Sequence, residues 1–416
     1  MTRLQVFGAA LIAVSSLAAT SVRVSAETLV WLSARPENGA IVQTVREVAD
    51  RYAKDHPDFK LDIQVTADRA SYLTKLRTLI ASGETPAFFD TDADPFARQL
   101  ADAGLLTDMS AFLKESGLFD KFYEPALKYQ QFQDGSLYLL PLEYHLEMTW
   151  YNKKIFADHG VTPPRTLDDM LALTAKLAKD GVTPIALSGT DAWPMLRYLA
   201  MVPFRKTGNE FARNLAGGTL DKAMALEAAT FFDKISDGFQ PGFVSADYIT
   251  ARNMFVNGEA AMYHMGTWEL GTFSDDALPE AMKGNIGYFY LPTTAGAVTP
   301  DNEFFGNSGI GFAASSDKFE GTAKDFLSFL LANYGDLYVA RKQLSPMKFT
   351  LKQGESYDPL FVSVKADADG YGAEFAKPWD TLLSPDGNRI VNDLAFQLST
   401  NQITPEKFVE GLQQVQ

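Results

Sequence analysis

Cysteine is absent from all 416 residues. That excludes structural disulfides, thiolate chemistry, cysteine-ligated zinc and a lipid-modified cysteine at an export-processing site. Histidine is scarce: the four residues, His56, His145, His159 and His264, show no metal-ligand spacing, and His-Glu-x-x-His does not occur. Positive charge is in deficit, with 37 Lys and Arg against 52 Asp and Glu and a net charge of −15. Such a field repels phosphate backbones, so no nucleic-acid partner is expected. Also missing are a Gly-x-Ser-x-Gly elbow, a Gly-x-x-x-x-Gly-Lys-Ser/Thr phosphate loop and a dinucleotide fingerprint. We find no solenoid repeat, low-complexity tract or Gly/Ser linker either. No metal or cofactor is expected.

What is present begins with a targeting segment. Met1-Thr-Arg3 gives a positive start, Leu4 to Thr20 is mostly apolar, and Val24-Ser25-Ala26 supplies the small residues read by a signal peptidase. Cleavage is expected after Ala26. No later stretch reaches the roughly 18 uninterrupted apolar residues of a membrane span. With no cysteine to lipidate, the expected location is free in a periplasm. Hydrophobic residues make up 46% of the chain, ample for packed cores, and 416 residues exceed what one core supports. Two lobes are expected.

Along the chain, strand and helix periods alternate. Thr28–Ser33 reads as a buried strand, followed by a helix facing inward through Ile41, Val45, Val48, Ala49 and Tyr52. Phe59 to Val65 alternates as a strand, Tyr72 to Ile80 as a helix, and Ala87–Phe89 as a third strand running into Asp90-Thr-Asp-Ala-Asp94. This order means a parallel sheet covered by helices, with ligands at the carboxyl ends of its strands. The loops Ser33–Asn38, Thr66–Arg69 and Asp90–Asp94 therefore form one candidate wall, although Asp94 before Pro95 also suits a helix N-cap. Leu137–Leu142 reads as a strand. From Tyr144 an aromatic β-favouring run leads to Pro163-Pro164 and a helix capped reciprocally by Thr166 and Asp169. That helix ends at Gly181, Pro184–Leu187 is a strand, and Ser188–Pro194 is another strand-end loop. Further helices include Ala223–Lys234, Ala323–Leu330 and a last one from Ile390 to Leu398. Asn285–Pro292 and Gly309–Ala313 read as β.

Five separated motifs then fall in one order: Asp134-Gly-Ser-Leu-Tyr-x-x-Pro141, Trp150-Tyr-Asn-Lys153, Pro163-Pro-x-Thr166, Phe255-x-Asn-Gly-x-Ala-Ala-Met262 with Gly266-x-Trp268, and Leu291-Pro292. Together they resemble the extracytoplasmic solute-binding proteins of ABC importers, specifically the sugar-binding family that includes the maltose-binding protein. The resemblance covers essentially the whole mature chain. It implies an α/β fold of two lobes with three inter-lobe crossings and a ligand cleft between the lobes. The lobes would close like a hinge and present a carbohydrate to the transmembrane subunits of an ABC permease, with the binding protein monomeric and non-enzymatic. The implied crossings lie near Pro141–Glu147, near Leu291 and after the Lys324–Ala332 helix. Residues 27–143 and 291–333 would form the N-terminal lobe, and residues 144–290 and 334–416 the C-terminal lobe.

The resemblance places Arg35, Glu37 or Asn38 in the first-strand loop that meets ligand, and Thr91, Asp92 and Asp94 at the third-strand end. His145 falls where maltose binders carry an acid, which bears on the identity of the sugar. Gly189 to Asp191, including Thr190, forms the second-lobe loop; Trp268 is the stacking aromatic and Trp379 a late one. The chemistry fits, since aromatic rings cover the C–H faces of sugars while carboxylates, Asn and Arg bond their hydroxyls. Trp193 beside Pro194 reads as structural, His264 likewise, and His56 and His159 as surface residues at helix ends. Two other readings are a binder of a polyol or anionic sugar derivative, motivated by Arg35 and His145, and a secreted glycoside-active enzyme built on a carboxylate pair.

Overall fold

The computed structural model describes residues 28–66, 68–274, 277–372 and 374–415. The expected export signal and its processing point lie outside these residues. The described strands in chain order are β1 (Thr28–Ser33), β2 (Lys60–Val65), β3 (Phe88–Thr91), β4 (His145–Asn152), β5 (Ile185–Ala186), β6 (Met262–Gly266), β7 (Ile286–Phe289), β8 (Gly306–Asn307) and β9 (Gly311–Ala314).

They form two sheets. The first has the order β2-β1-β3-β9, with β1 parallel to β2 and β3, and β9 antiparallel to β3. Its register sets Trp31 beside Ile63 and Phe88. The helix Ala40–Asp55 covers one face through Ile41, Val45, Val48 and Tyr52, as its period requires, and packs beside the helix Thr322–Ala340. The second sheet has the order β5-β6-β4-β7, with β8 also on β4. Here β6, β7 and β8 run antiparallel to β4, and only β5 pairs in parallel, with β6. Each sheet carries its own core, Trp31, Phe88, Phe312 and Phe326 in one and Trp150, Met262, Phe305 and Trp379 in the other. Among the described residues no helix is long and apolar enough to cross a membrane.

Four local expectations change. Leu137–Leu142 is buried and extended, but its only ladder contact is a bridge from Leu140 to Phe312. Its alternate residues face different apolar clusters rather than a partner strand, and Pro141 has no N–H to donate. The return crossing is not at Leu291: Leu291, Phe304 and Phe305 pack in the second core, and the chain joins the first sheet only at Gly311. The helix expected to end near Ala332 continues to Ala340, and Tyr334 and Tyr338 on the added turns still belong to the first core. A helix at Pro405–Leu412 follows Pro385–Ser399. Thr404 accepts the Lys407 N–H and Pro405 opens the helix, a start signal that was present in the sequence.

Candidate functional site

The site is assembled where chain segments pass between the two sheets. On the first sheet, Asp90 ends fully buried in β3, where it accepts from the Trp31 indole (3.2 Å), the Ser33 hydroxyl (2.9 Å), the Ala34 N–H (2.9 Å) and Arg35 Nε (3.4 Å). Burial pushes the Asp90 carboxyl up, and Arg35 with these donors pulls it back. Arg35 turns its other nitrogens away from the sheet. Nη1 donates to Glu143 at 2.6 Å, and Nη2 donates to the Ile310 carbonyl. One buried guanidinium thus ties the outgoing and returning segments to the ends of β1 and β3. Gly309 makes the approach possible: a Cβ there would sit 1.8 Å from Glu143 Oε1, and its φ is +64°.

On the second sheet, β4 alternates, so His145, Glu147 and Thr149 share one side. His145 Nε2 lies 2.9 Å from Glu143 Oε2, and Nδ1 lies 3.3 Å from the Thr267 hydroxyl. Glu147 grips Arg197 with both oxygens (2.8 and 3.1 Å) and accepts the Asn307 amide at 3.0 Å. Such a bidentate pair is the strong form of the interaction. Burial opposes ionisation of Glu143, yet Arg35 and His145 outweigh it and hold the carboxyl down at about 2. Glu147 is also lowered, with burial again opposing and Arg197 prevailing. Two residues further along β4, Thr149 bonds His264 Nδ1 at 3.0 Å. Burial pushes that imidazole down to about 4.

Two indoles complete the site. Trp268 follows Gly266, and a Cβ on Gly266 would lie 2.1 Å from the Trp268 ring, so glycine is what lets the ring fold back. Its ring centre is 5.2 Å from His145 and 6.1 Å from Trp193, edge-on to both. Trp193 opens the helix Trp193–Thr207, and Arg197, one turn on, lies 4.6 Å over its ring. The turn before it is strained. Ala192 has φ 58° and ψ −45°, and the Trp193 N–H reaches the Asp191 carbonyl at 2.6 Å, a γ-turn with positive φ at its centre. Glu143, His145, Trp193, Arg197, Trp268 and Asn307 line a cavity of about 300 Å³. Ring faces beside carboxylate, amide and guanidinium groups can hold a hydroxylated ring through both its C–H surface and its O–H rim.

Of the expected site residues, His145 and Trp268 line this cavity. Arg35 stands behind Glu143, only 4% exposed, and its donors are used inside the protein. Glu37 is exposed in the turn before the helix Ala40–Asp55 and pairs with Arg46 on that helix, while Asn38 lies exposed beside it. Asp92 pairs with Arg69, and Asp94 caps its helix by accepting the Ala97 N–H at 2.9 Å. Thr190 and Asp191 are exposed; Thr190 donates to the Ala246 carbonyl at 3.2 Å and Asp191 accepts from Ser188. Trp379 is a correction. It is 1% exposed, fills the core between Phe211 and Phe408, and does not line the cavity. Trp193, read as structural, lines the cavity instead. Glu143, Glu147, Arg197 and Asn307 went unread. The alternation of His145, Glu147 and Thr149, and the four-residue spacing of Trp193 and Arg197, were the available signals for two of them; Asn307 had none. Among the described residues no three His, Asp or Glu converge as metal ligands.

Known proteins share this architecture. Residues 38–335 match the model of the family described as bacterial extracellular solute-binding protein. The chain is 29% identical over 248 residues, 56% of each chain, to a Mesorhizobium japonicum protein named "Probable sugar-binding periplasmic protein". It is 26% identical over 309 residues, 70% of this chain and 68% of the other, to the sn-glycerol-3-phosphate-binding periplasmic protein of Shigella flexneri. It spans little more than half the length of several such curated relatives. Its fold is similar to that of a chitin oligosaccharide binding protein, with a TM-score of 0.76 and 25% identity over 93% of this chain and 97% of that one.

Proposed function

Because the chain belongs to the bacterial extracellular solute-binding protein family, we propose that it is the capture component of an ABC importer, taking up a carbohydrate in the periplasm. The observation that carries this reading is the cavity beside the second sheet and the connecting segments, lined by Trp193, Trp268 and Glu143. The same cavity accounts for delivery: lobes that close on a sugar present a changed surface to the permease. We place the lobes at residues 28–143 with 308–340, and 145–305 with 345–415; Arg35 holds the outgoing segment at Glu143 and the returning segment at Ile310 to the first lobe, and Glu143 passes the contact on to His145 of the second. The protein acts as a monomer and breaks no bond. A glycoside-cleaving enzyme needs one carboxyl held protonated as general acid. Glu143 and Glu147 are instead both held ionised by their cations, which favours binding over catalysis.

Calorimetric titration of mono- and oligosaccharides, with Trp fluorescence and melting temperature recorded alongside, tests the proposal. A bound sugar at 100 times its Kd adds roughly 2.7 kcal/mol of stability. A broad panel without heat or stabilisation overturns it.

A further inference from the structure

Three groups near the cavity could meet a negative charge on a ligand: Arg35, His145 and Arg197. Arg35 does not line the cavity; it lies behind Glu143, with Asp90, Glu143 and the Ile310 carbonyl taking its donors. His145 has Glu143 at one ring nitrogen and Thr267 at the other. Arg197 is held by both oxygens of Glu147 and covered by the Trp193 ring. At the strand ends of the first sheet, Arg69 forms a part-exposed pair with Asp92 and does not line the cavity. Asn307 turns its amide N–H to Glu147 and its carbonyl to the Gly309 N–H. The group left facing the cavity with acceptor capacity is Glu143. Its carboxylate accepts one bond at each oxygen, and each oxygen has a second lone pair.

We propose that the site selects an uncharged sugar, with Glu143 as the specificity-determining residue: it accepts hydroxyl hydrogens from the ligand and turns away sugar acids and sugar phosphates. This rests on the carbohydrate reading above and narrows it. The neutral ligand donates O–H into a carboxylate whose counter-charge sits on the far side, in Arg35. An anionic ligand meets the same carboxylate at contact distance against the protein surface, where like charges repel more strongly than in bulk water. Among the residues lining the cavity, the guanidinium that could offset it, Arg197, would have to break its buried pair with Glu147. The similarity to a glycerol-phosphate-binding protein therefore does not extend to ligand charge.

The test uses the unaltered protein and matched probes: glucose and galactose, each with its uronic acid, its uronamide and its 6-phosphate, and cellobiose and chitobiose as longer neutral ligands. The uronamide keeps the shape of the uronate and removes its charge, with an NH2 donor in place of one acceptor oxygen. Calorimetry is run at low and at high salt. The expected result is that a neutral sugar and its uronamide bind, while the uronate and phosphate bind at least ~100-fold more weakly. That gap narrows in high salt and in Glu143→Gln. Because Glu143→Gln removes a partner from buried Arg35, its fold is checked by circular dichroism, and the uronate–uronamide ratio in the unaltered protein decides the matter if the variant does not fold. A uronate or phosphate that binds as tightly as its neutral partner overturns the inference while leaving the carbohydrate reading intact. A uronamide rejected as strongly as the uronate also overturns it, since shape and not charge then discriminates. If no sugar of either kind binds, the carbohydrate reading itself falls.

Discussion

Single side chains here divide between those that face the ligand space and those that hold the frame, and the two kinds make different predictions. Trp268 is half-buried and packs edge-on to His145 and Trp193. Trp268→Ala is expected to weaken sugar binding by about 1–3 kcal/mol while the melting temperature of the free protein changes little. Calorimetry and thermal melts together check it; an unchanged Kd removes Trp268 from the site. His264 is of the other kind, 3% exposed and held neutral by burial, its pKa lowered from 6.5 to about 4. The sign follows from proton binding. Above 6.5 neither the native nor the unfolded state carries the proton, so His264 adds no pH dependence. Between 6.5 and 4 the unfolded chain takes up a proton that the native state refuses, and stability falls as pH falls, by about 1.4 kcal/mol per pH unit at most and on the order of 3 kcal/mol in all. NMR titration of the four imidazoles checks this, with one resonance expected to stay neutral down to about pH 4. All four titrating near 6.5 contradicts it.

At the level of elements, the junction between β5 and the helix Trp193–Thr207 carries local strain. Ala192 is one of three non-glycine residues with positive φ among the described residues, and it alone directly precedes a cavity-lining side chain. The γ-turn aims Trp193 so that its ring meets Arg197 on one side and Trp268 on the other. A positive φ at alanine costs about 1–3 kcal/mol, which glycine avoids in part because its unfolded chain is freer. Ala192→Gly is therefore expected to raise unfolding stability by roughly 1 kcal/mol and to loosen sugar binding several-fold. Denaturant unfolding read beside the Kd checks it. A stabilised variant with unchanged affinity shows that the strain has no bearing on the site.

For the whole molecule, one buried guanidinium fixes where the chain leaves and re-enters the first sheet, beside other contacts such as Gln130 to Ser308 and Tyr123 to Asp369. Arg35 links Asp90 at the end of β3, Glu143 on the outgoing segment and the Ile310 carbonyl on the returning one. Arg35→Met preserves bulk but leaves two buried carboxylates without their cation. It is expected to cost about 3–5 kcal/mol, the penalty of breaking a buried ion pair by removing one partner. A denaturant midpoint close to that of the unaltered protein shows that the knot does not hold the two segments to the first sheet.

Chain order alone determined the alternation of strands and helices in the first lobe, because hydrophobic period and capping residues are local: the helix at 40–55 and the Thr166–Asp169 capping box both appear where the residue pattern puts them. It also determined the two-lobed class, through motifs that recur in order. His145 and Trp268 were legible as candidates for the cavity they line because one breaks a motif and the other follows a glycine that its ring needs. What only the tertiary structure decided is which polar groups have anything left to give. Arg35 and Asp94 have the right chemistry, yet one is consumed by buried carboxylates and the other by a helix terminus. Trp379 has the right ring but is buried in the core. Glu143, Arg197 and Asn307 come from segments far apart in the chain, and no local period records their meeting. Ligand chemistry depends on the balance of charges after all internal pairs have formed, and that balance exists only once the lobes are folded against each other.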